Sequence, residues 1–184
     1  MVNFKMKMEN KDFVVREISL FPPFEDKANS THSYFLVEKE GLTTFKLIEI
    51  LKDYFGLDFI DISVEGLKDE DGITEQLVSV RKILGVTDQQ NFNIFFQEKN
   101  KKIRMLSIIG YGNEPLQPGN LYGNTFVITV RNLTQKQSKR IRLWRQDNKY
   151  FSFINYYDSQ RFGTPGNIHN THLIGKNIIR GKWK

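Results

Sequence analysis

The chain has 184 residues, 39% hydrophobic and 26% charged, with 27 Lys and Arg against 21 Asp and Glu for a net charge of +6; this is globular composition rather than disorder. It has no cysteine, which excludes disulfide frameworks, thiolate metal sites and cysteine nucleophiles. No apolar run approaches the roughly 20 residues of a membrane helix, and the polar stretch Met1 to Asp12 has no signal-peptide pattern, so a cytoplasmic protein without a membrane contact is expected.

In chain order, Phe13 to Ile18 is β-branched and aromatic and predicts a strand, and Phe21 to Ser30, with Pro22 and Pro23, predicts a loop. Tyr34 to Glu38 predicts a second strand. Thr43 or Thr44 caps a helix reaching about Phe55, with Leu47, Ile48, Leu51 and Phe55 on one face and Gly56 as its terminator. Phe59 to Val64 and Gln76 to Val80 read as short strands around a polar turn, Gly66 to Thr74. Phe92 to Phe96 and Ile103 to Ile109 predict a hairpin across the charged connection Glu98 to Lys102. Thr125 to Arg131 alternates, with Phe126, Ile128 and Val130 on one side. Gln135 to Gln146 predicts a basic helix with Ile141 and Trp144 as its apolar contacts, and Thr171 to Arg180 a helix that buries Leu173, Ile174 and Ile178 and stops at Gly181. Strands and helices mix without a regular βαβ rhythm. The expectation is one α+β domain over residues 1–184 with a mixed, largely antiparallel sheet flanked by helices.

Charge is uneven along this chain. From Arg131 onward there are 12 Lys and Arg against 2 Asp and Glu, a net of +10, whereas residues 1–130 have 15 against 19, a net of −4. A basic end on a weakly acidic body suits a binder of nucleic acid, although a solvated basic helix face accounts for the charge equally well. Trp144, Tyr150, Phe151, Phe153, Tyr156, Tyr157, Phe162 and Trp183 are interleaved with these cations. Cations that track phosphates and rings that stack bases are the two ingredients of single-strand recognition. Most of the rings belong to a core; one or two are left to face a ligand.

No nucleotide loop is present, since Gly110 and Gly112 are followed by Pro115, and no Walker lysine pattern occurs. With three histidines and no cysteine, no metal site and no cofactor are expected. The segment Gly66-Leu67-Lys68-Asp69-Glu70-Asp71-Gly72-Ile73-Thr74-Glu75-Gln76 reads, from pattern alone, as a solvated acidic turn between buried strands.

The same segment resembles the G-x-K-D-x-x-A-x-T-x-Q signature of the TruD family of tRNA pseudouridine synthases, through Gly66, Lys68, Asp69, Thr74 and Gln76. Three more blocks resemble that family in the right order: Phe13, Val15 and Glu17 as F-x-V-x-E, Gly119 to Phe126 as G-x-L-x-G-N-x-F, and Asn155 to Gly163 with Asn167 as N-Y-F-G-x-Q-R-F-G and its trailing Asn. The stretch Gly112 to Leu116 looks more like archaeal and eukaryotic members. Glu70 and Asp71 stand where the family often has a basic residue, Gly72 replaces the usual Ala, and Asp158 replaces a Gly.

The resemblance implies a cofactor-free isomerisation of uridine in RNA, most plainly tRNA, with Asp69 as the catalytic carboxylate, acting as nucleophile or base. The target base must leave its stack to reach that group. Phe126 is the candidate ring to receive it, or else an inward-facing strand residue, and Asn124 the candidate hydrogen-bond partner for base or sugar. Lys68 is expected to contact substrate or RNA and to favour the ionised form of Asp69; Gln160, Arg161 and Asn167 are expected to shape the cleft or contact RNA, Arg161 reading otherwise as a structural ion-pair partner; and Arg140 and Arg142 of the basic helix are expected to reach phosphate. Family members continue past the Q-R-F-G block into an inserted domain and then return to the catalytic sheet. The chain is therefore expected to be a partial catalytic domain, completed by a second chain or C-terminal segment, with an apolar edge near Trp183. The rivals are a shortened relative that binds RNA without catalysis and a structural or interaction protein.

Overall fold

The computed structural model describes residues 4–147, 150, 154 and 171–182. The elements are β1 (Phe13–Ser19), β2 (His32–Glu40), α1 (Thr44–Phe55), β3 (Ile62–Val64), β4 (Ile73–Val80), α2 (Val86–Glu98), β5 (Ile103–Gly112), β6 (Leu121–Ile128), α3 (Gln135–Asp147) and α4 (Thr171–Ile179). The chain divides into two compact units, Met1–Thr134 and Gln135–Lys184. The named strands all lie in the first unit, in one sheet ordered β5-β2-β4-β1-β6 with β3 also paired to β4. Among them only β1 and β4 run parallel; the other pairs are antiparallel. The fold is α+β.

Helix α1 forms where its end signals sit. The Thr43 side chain accepts the Lys46 N–H at 3.1 Å, and Gly56 closes the helix at φ 65°, a left-handed conformation that glycine adopts without a Cβ penalty. Its apolar stripe, Leu47, Leu51 and Phe55, packs on the sheet face that carries Phe35 and Val37 of β2 and Val78 and Val80 of β4. A smaller cluster, Tyr34, Leu77 and Leu116, occupies the opposite face.

The expected hairpin at Phe92 to Phe96 is corrected: Val86–Glu98 is a helix. Phe92 and Phe96, one turn apart, are buried against Tyr54 of α1, with ring centroids 5.0 and 5.4 Å away. The polar residues that weaken the helical pattern serve the neighbouring strand. Asn93 donates to the Met105 carbonyl at 2.9 Å and accepts the Met105 N–H at 2.8 Å, and Gln89 donates to the Leu106 carbonyl at 2.7 Å. These amides close the edge of β5, which would otherwise offer unpaired main-chain groups.

Three further expectations change in detail. Phe59 to Asp61 is a short 3-10 turn rather than strand, and β6 begins at Leu121 instead of Thr125. Leu173, Ile174 and Ile178 of α4 share a face as expected but remain about half exposed, as do Ile141 and Trp144 of α3. Helical period reports which residues share a face, not whether another element covers it. Among the described residues, no helix is long and apolar enough to cross a membrane.

Phe92 ties α2 to α1. Phe92→Ala is expected to lower stability to denaturant by about 3–5 kcal/mol, the cost of removing a large ring from a packed core; a loss below about 1 kcal/mol would contradict the docked helix.

Candidate active site

The sheet forks at β4. One edge of β4 is fully occupied by β2, while the other is shared: β1 pairs with Ile73 to Glu75 and β3 with Val78 to Val80. Between them the Leu77 N–H has no strand partner, and the Glu17 carboxylate accepts it at 3.1 Å. Glu17 is in turn ion-paired with the Lys68 ammonium, and the two side chains are 1% and 4% exposed. Beside the pair, the buried Glu65 carboxyl accepts the Ser19 hydroxyl at 2.6 Å, and burial pushes its pKa up.

The connection from β3 to β4 crosses this fork and carries Asp69. It is gripped from several sides. The Thr44 hydroxyl, at the first residue of α1, accepts the Lys68 N–H at 2.8 Å and donates to Gln76 Oε1 at 3.2 Å. The fully buried Lys39 ammonium donates to the main-chain carbonyls of Leu42 and Asp69, the latter at 2.9 Å. Gly72 closes the loop against β1; a Cβ there would lie 2.5 Å from the Phe13 carbonyl oxygen, so a glycine matches the close approach of the two strands.

The Asp69 side chain points away from this scaffold and is 42% exposed, with Lys7 Nζ 3.6 Å from its Oδ2. Lys7 also lies over the Phe13 ring, 3.8 Å from its centroid, and Phe13 meets Phe126 at 6.0 Å. Lys7 is held by the segment it belongs to: Lys5 exchanges main-chain hydrogen bonds with Arg131 at 3.0 and 2.8 Å, and Arg131 makes a two-point contact with Asp12 at 2.6 and 2.7 Å. That contact holds the Asp12 carboxyl below the usual carboxylate range.

Register puts Asn124 opposite Glu17 and Phe126 opposite Val15, on the face that carries the fork. Phe126 is 54% exposed and therefore not a core ring. Asp69, Phe126 and Asn124 thus share one side of the sheet, and Asp69 and Phe126 are linked by the contact chain through Lys7 and Phe13. Lys68, expected to contact substrate or RNA, has its ammonium buried on Glu17, where the fork leaves a carboxylate that needs a cation. Glu70 and Asp71 are exposed beside Asp69. Arg140 and Arg142 are exposed on α3, in the second unit. Gln160, Arg161, Asn167 and Trp183 lie outside the described residues.

Two residues of this site, Lys7 and Lys39, are not singled out by the sequence, and Thr44 is marked there only as a possible helix cap. No local pattern marks Lys7, which lies far from Asp69 in sequence. Lys39 does carry a signal. It continues the alternation Ser33, Phe35, Val37 on the buried face of β2, where an ionisable residue is out of place.

The site is thus an α+β sheet forked around a buried ion pair, with a carboxylate loop beside the fork and an exposed ring on the same side. The crystal structure described as tRNA pseudouridine synthase D (TruD) of Methanosarcina mazei superposes with a TM-score of 0.68 at 26% identity, covering 96% of this chain and 38% of that one. The family model of tRNA pseudouridine synthase D (TruD) matches residues 2–184, and the chain belongs to that family. Curated relatives named tRNA pseudouridine synthase D include those of Sulfurimonas denitrificans, 29% identical, and Helicobacter pylori, 28% identical, each over the whole of this chain. The chain spans about half the length of the curated relatives it matches, 47% and 45% of these two.

Burial lowers the pKa of Lys39 from 10.5 to about 8, partly opposed by the nearby charges of Asp69 and Glu70. A lysine depressed in the folded state binds fewer protons there than in the unfolded chain between these two values. Stability should therefore rise with pH from about 8 to 10.5, by roughly 3 kcal/mol from this group. The rise is read as the difference between wild-type and Lys39→Met unfolding curves; parallel curves across that window would contradict it.

Proposed function

We propose that the protein contributes the Asp69-bearing part of a tRNA pseudouridine synthase active site and acts on a uridine in RNA. The reading rests on one observation above the others: in a chain of the TruD family, the aspartate of the family signature sits on a loop braced at its backbone while its carboxylate stays half-exposed, in contact sequence with the open ring of Phe126.

Isomerisation breaks the N1–C1′ bond of uridine and joins C5 to C1′; C5 loses a proton and N1 gains one, so substrate and product have the same atoms. Asp69 acts as nucleophile or base in this exchange. Phe126 offers a face on which an unstacked uracil can rest, for a flipping cost of a few kcal/mol, and Asn124 offers amide groups to the base or sugar. Lys7, beside Asp69, supplies the positive charge that the carboxylate faces. The activity belongs to the cytoplasm, where a soluble tRNA meets it, and it is completed by a C-terminal segment or second chain, in keeping with relatives about twice as long.

Asp69→Asn preserves shape and removes the charge. Assayed together with the completing segment or chain, it is expected to cut pseudouridine yield in tRNA by about 10²–10⁴-fold, read by carbodiimide labelling and mass spectrometry, with folding and RNA affinity nearly unchanged. An undiminished yield would overturn the assignment.

The exposed cations of α3 bind phosphate in the same reading. Changing Arg140 and Arg142 together to Gln should weaken RNA binding and flatten its salt dependence, by about 0.7–0.9 log units per log of salt for each phosphate no longer neutralised. An unchanged slope would remove this helix from the RNA interface.

A further inference from the structure

We propose that Lys39 is a positioning residue for Asp69: its buried ammonium, bridging the carbonyls of Leu42 and Asp69, fixes the aspartate loop to the start of α1 and so sets where the carboxylate points. The inference rests on the reading of Asp69 as the reactive group.

The packing gives no apolar reason for a lysine here. Phe35 and Val37, on the same face of β2, are fully buried and apolar, and Lys39 is equally buried. Its described partners are two main-chain carbonyls, and no carboxylate among the described residues touches its ammonium. Such a group costs free energy unless its hydrogen bonds repay the desolvation. What those bonds do is specific in place. One reaches the residue just before the α1 cap, Leu42; the other reaches the carbonyl of the aspartate itself.

Thr44 takes the N–H of the preceding residue, Lys68, at 2.8 Å. The start of α1 therefore holds the main chain on both sides of the Lys68–Asp69 peptide, one side directly and the other through Lys39. With the backbone fixed at those points, the side chain is left to project toward Lys7. The charged groups facing Lys39 are Asp69 and Glu70, which favour its ammonium, and Lys68, which opposes it. A neutral amine would still donate, but bonds from a charged donor are roughly twice as strong. A displacement of about 1 Å at a reacting group can cost about 10²-fold in rate, so a loosened loop should appear in turnover rather than in substrate affinity.

The first test needs no variant. In wild-type protein with ¹³C-labelled lysine and aspartate, the Lys39 Cε signal and the Asp69 carbonyl signal should titrate together, with a shared midpoint near 8. In Lys39→Arg that midpoint should vanish from the Asp69 carbonyl. An Asp69 carbonyl that ignores the Lys39 titration overturns the clamp. With tRNA as substrate and the completing segment or chain present, Lys39→Met should lower kcat by about 10²-fold at unchanged KM, with Lys39→Arg recovering part of the loss. Wild-type kcat in Lys39→Met, alongside an inactive Asp69→Asn, would overturn the positioning role alone. Full activity in Asp69→Asn would overturn the Asp69 reading instead, and the shared titration would still decide the clamp.

Discussion

The buried pair of Glu17 and Lys68 is the interaction on which the site depends. Two strands, β1 and β3, compete for one edge of β4 and leave the Leu77 N–H between them. Glu17 satisfies that group, and a carboxylate so placed demands a cation, which Lys68 provides. A buried pair of this kind is weak as a source of stability but strict about geometry, and losing one partner leaves the other charge uncompensated at about 3–5 kcal/mol. The geometry is what matters here. Lys68 is drawn inward, so its neighbour Asp69 emerges on the open side of the fork, with Thr44 and Lys39 holding the peptide between them.

Much of the fold is legible in the chain because its signals are local. Thr43 and Gly56 mark both ends of α1, and alternation marks β1, β2 and the body of β6. What is illegible depends on partners distant in sequence. Phe92 to Phe96 has the aromatic density of a strand, and the reason it is helical lies in Asn93 and Gln89 meeting the carbonyls of β5. Leu173 and Ile178 keep helical spacing, which says nothing about whether a surface waits for them.

The candidate site divides the same way. Asp69, Asn124 and Phe126 are found through motifs in order, and the structure brings all three to one face of the sheet. Lys68 lies in the same motif, yet its side chain turns inward, a fact set by the fork and invisible in the motif. Lys7 meets Asp69 from a segment that Lys5 bridges to Arg131, a pairing that sequence spacing does not encode.

The proposed function has a uridine of RNA received between the Asp69 loop and the Phe126 ring. It is tested most directly by zero-length photo-crosslinking of tRNA carrying 4-thiouridine, with the attached peptides located by mass spectrometry. Crosslinks are expected within residues 66–72 and 121–128. Crosslinks confined to other parts of the chain would contradict it.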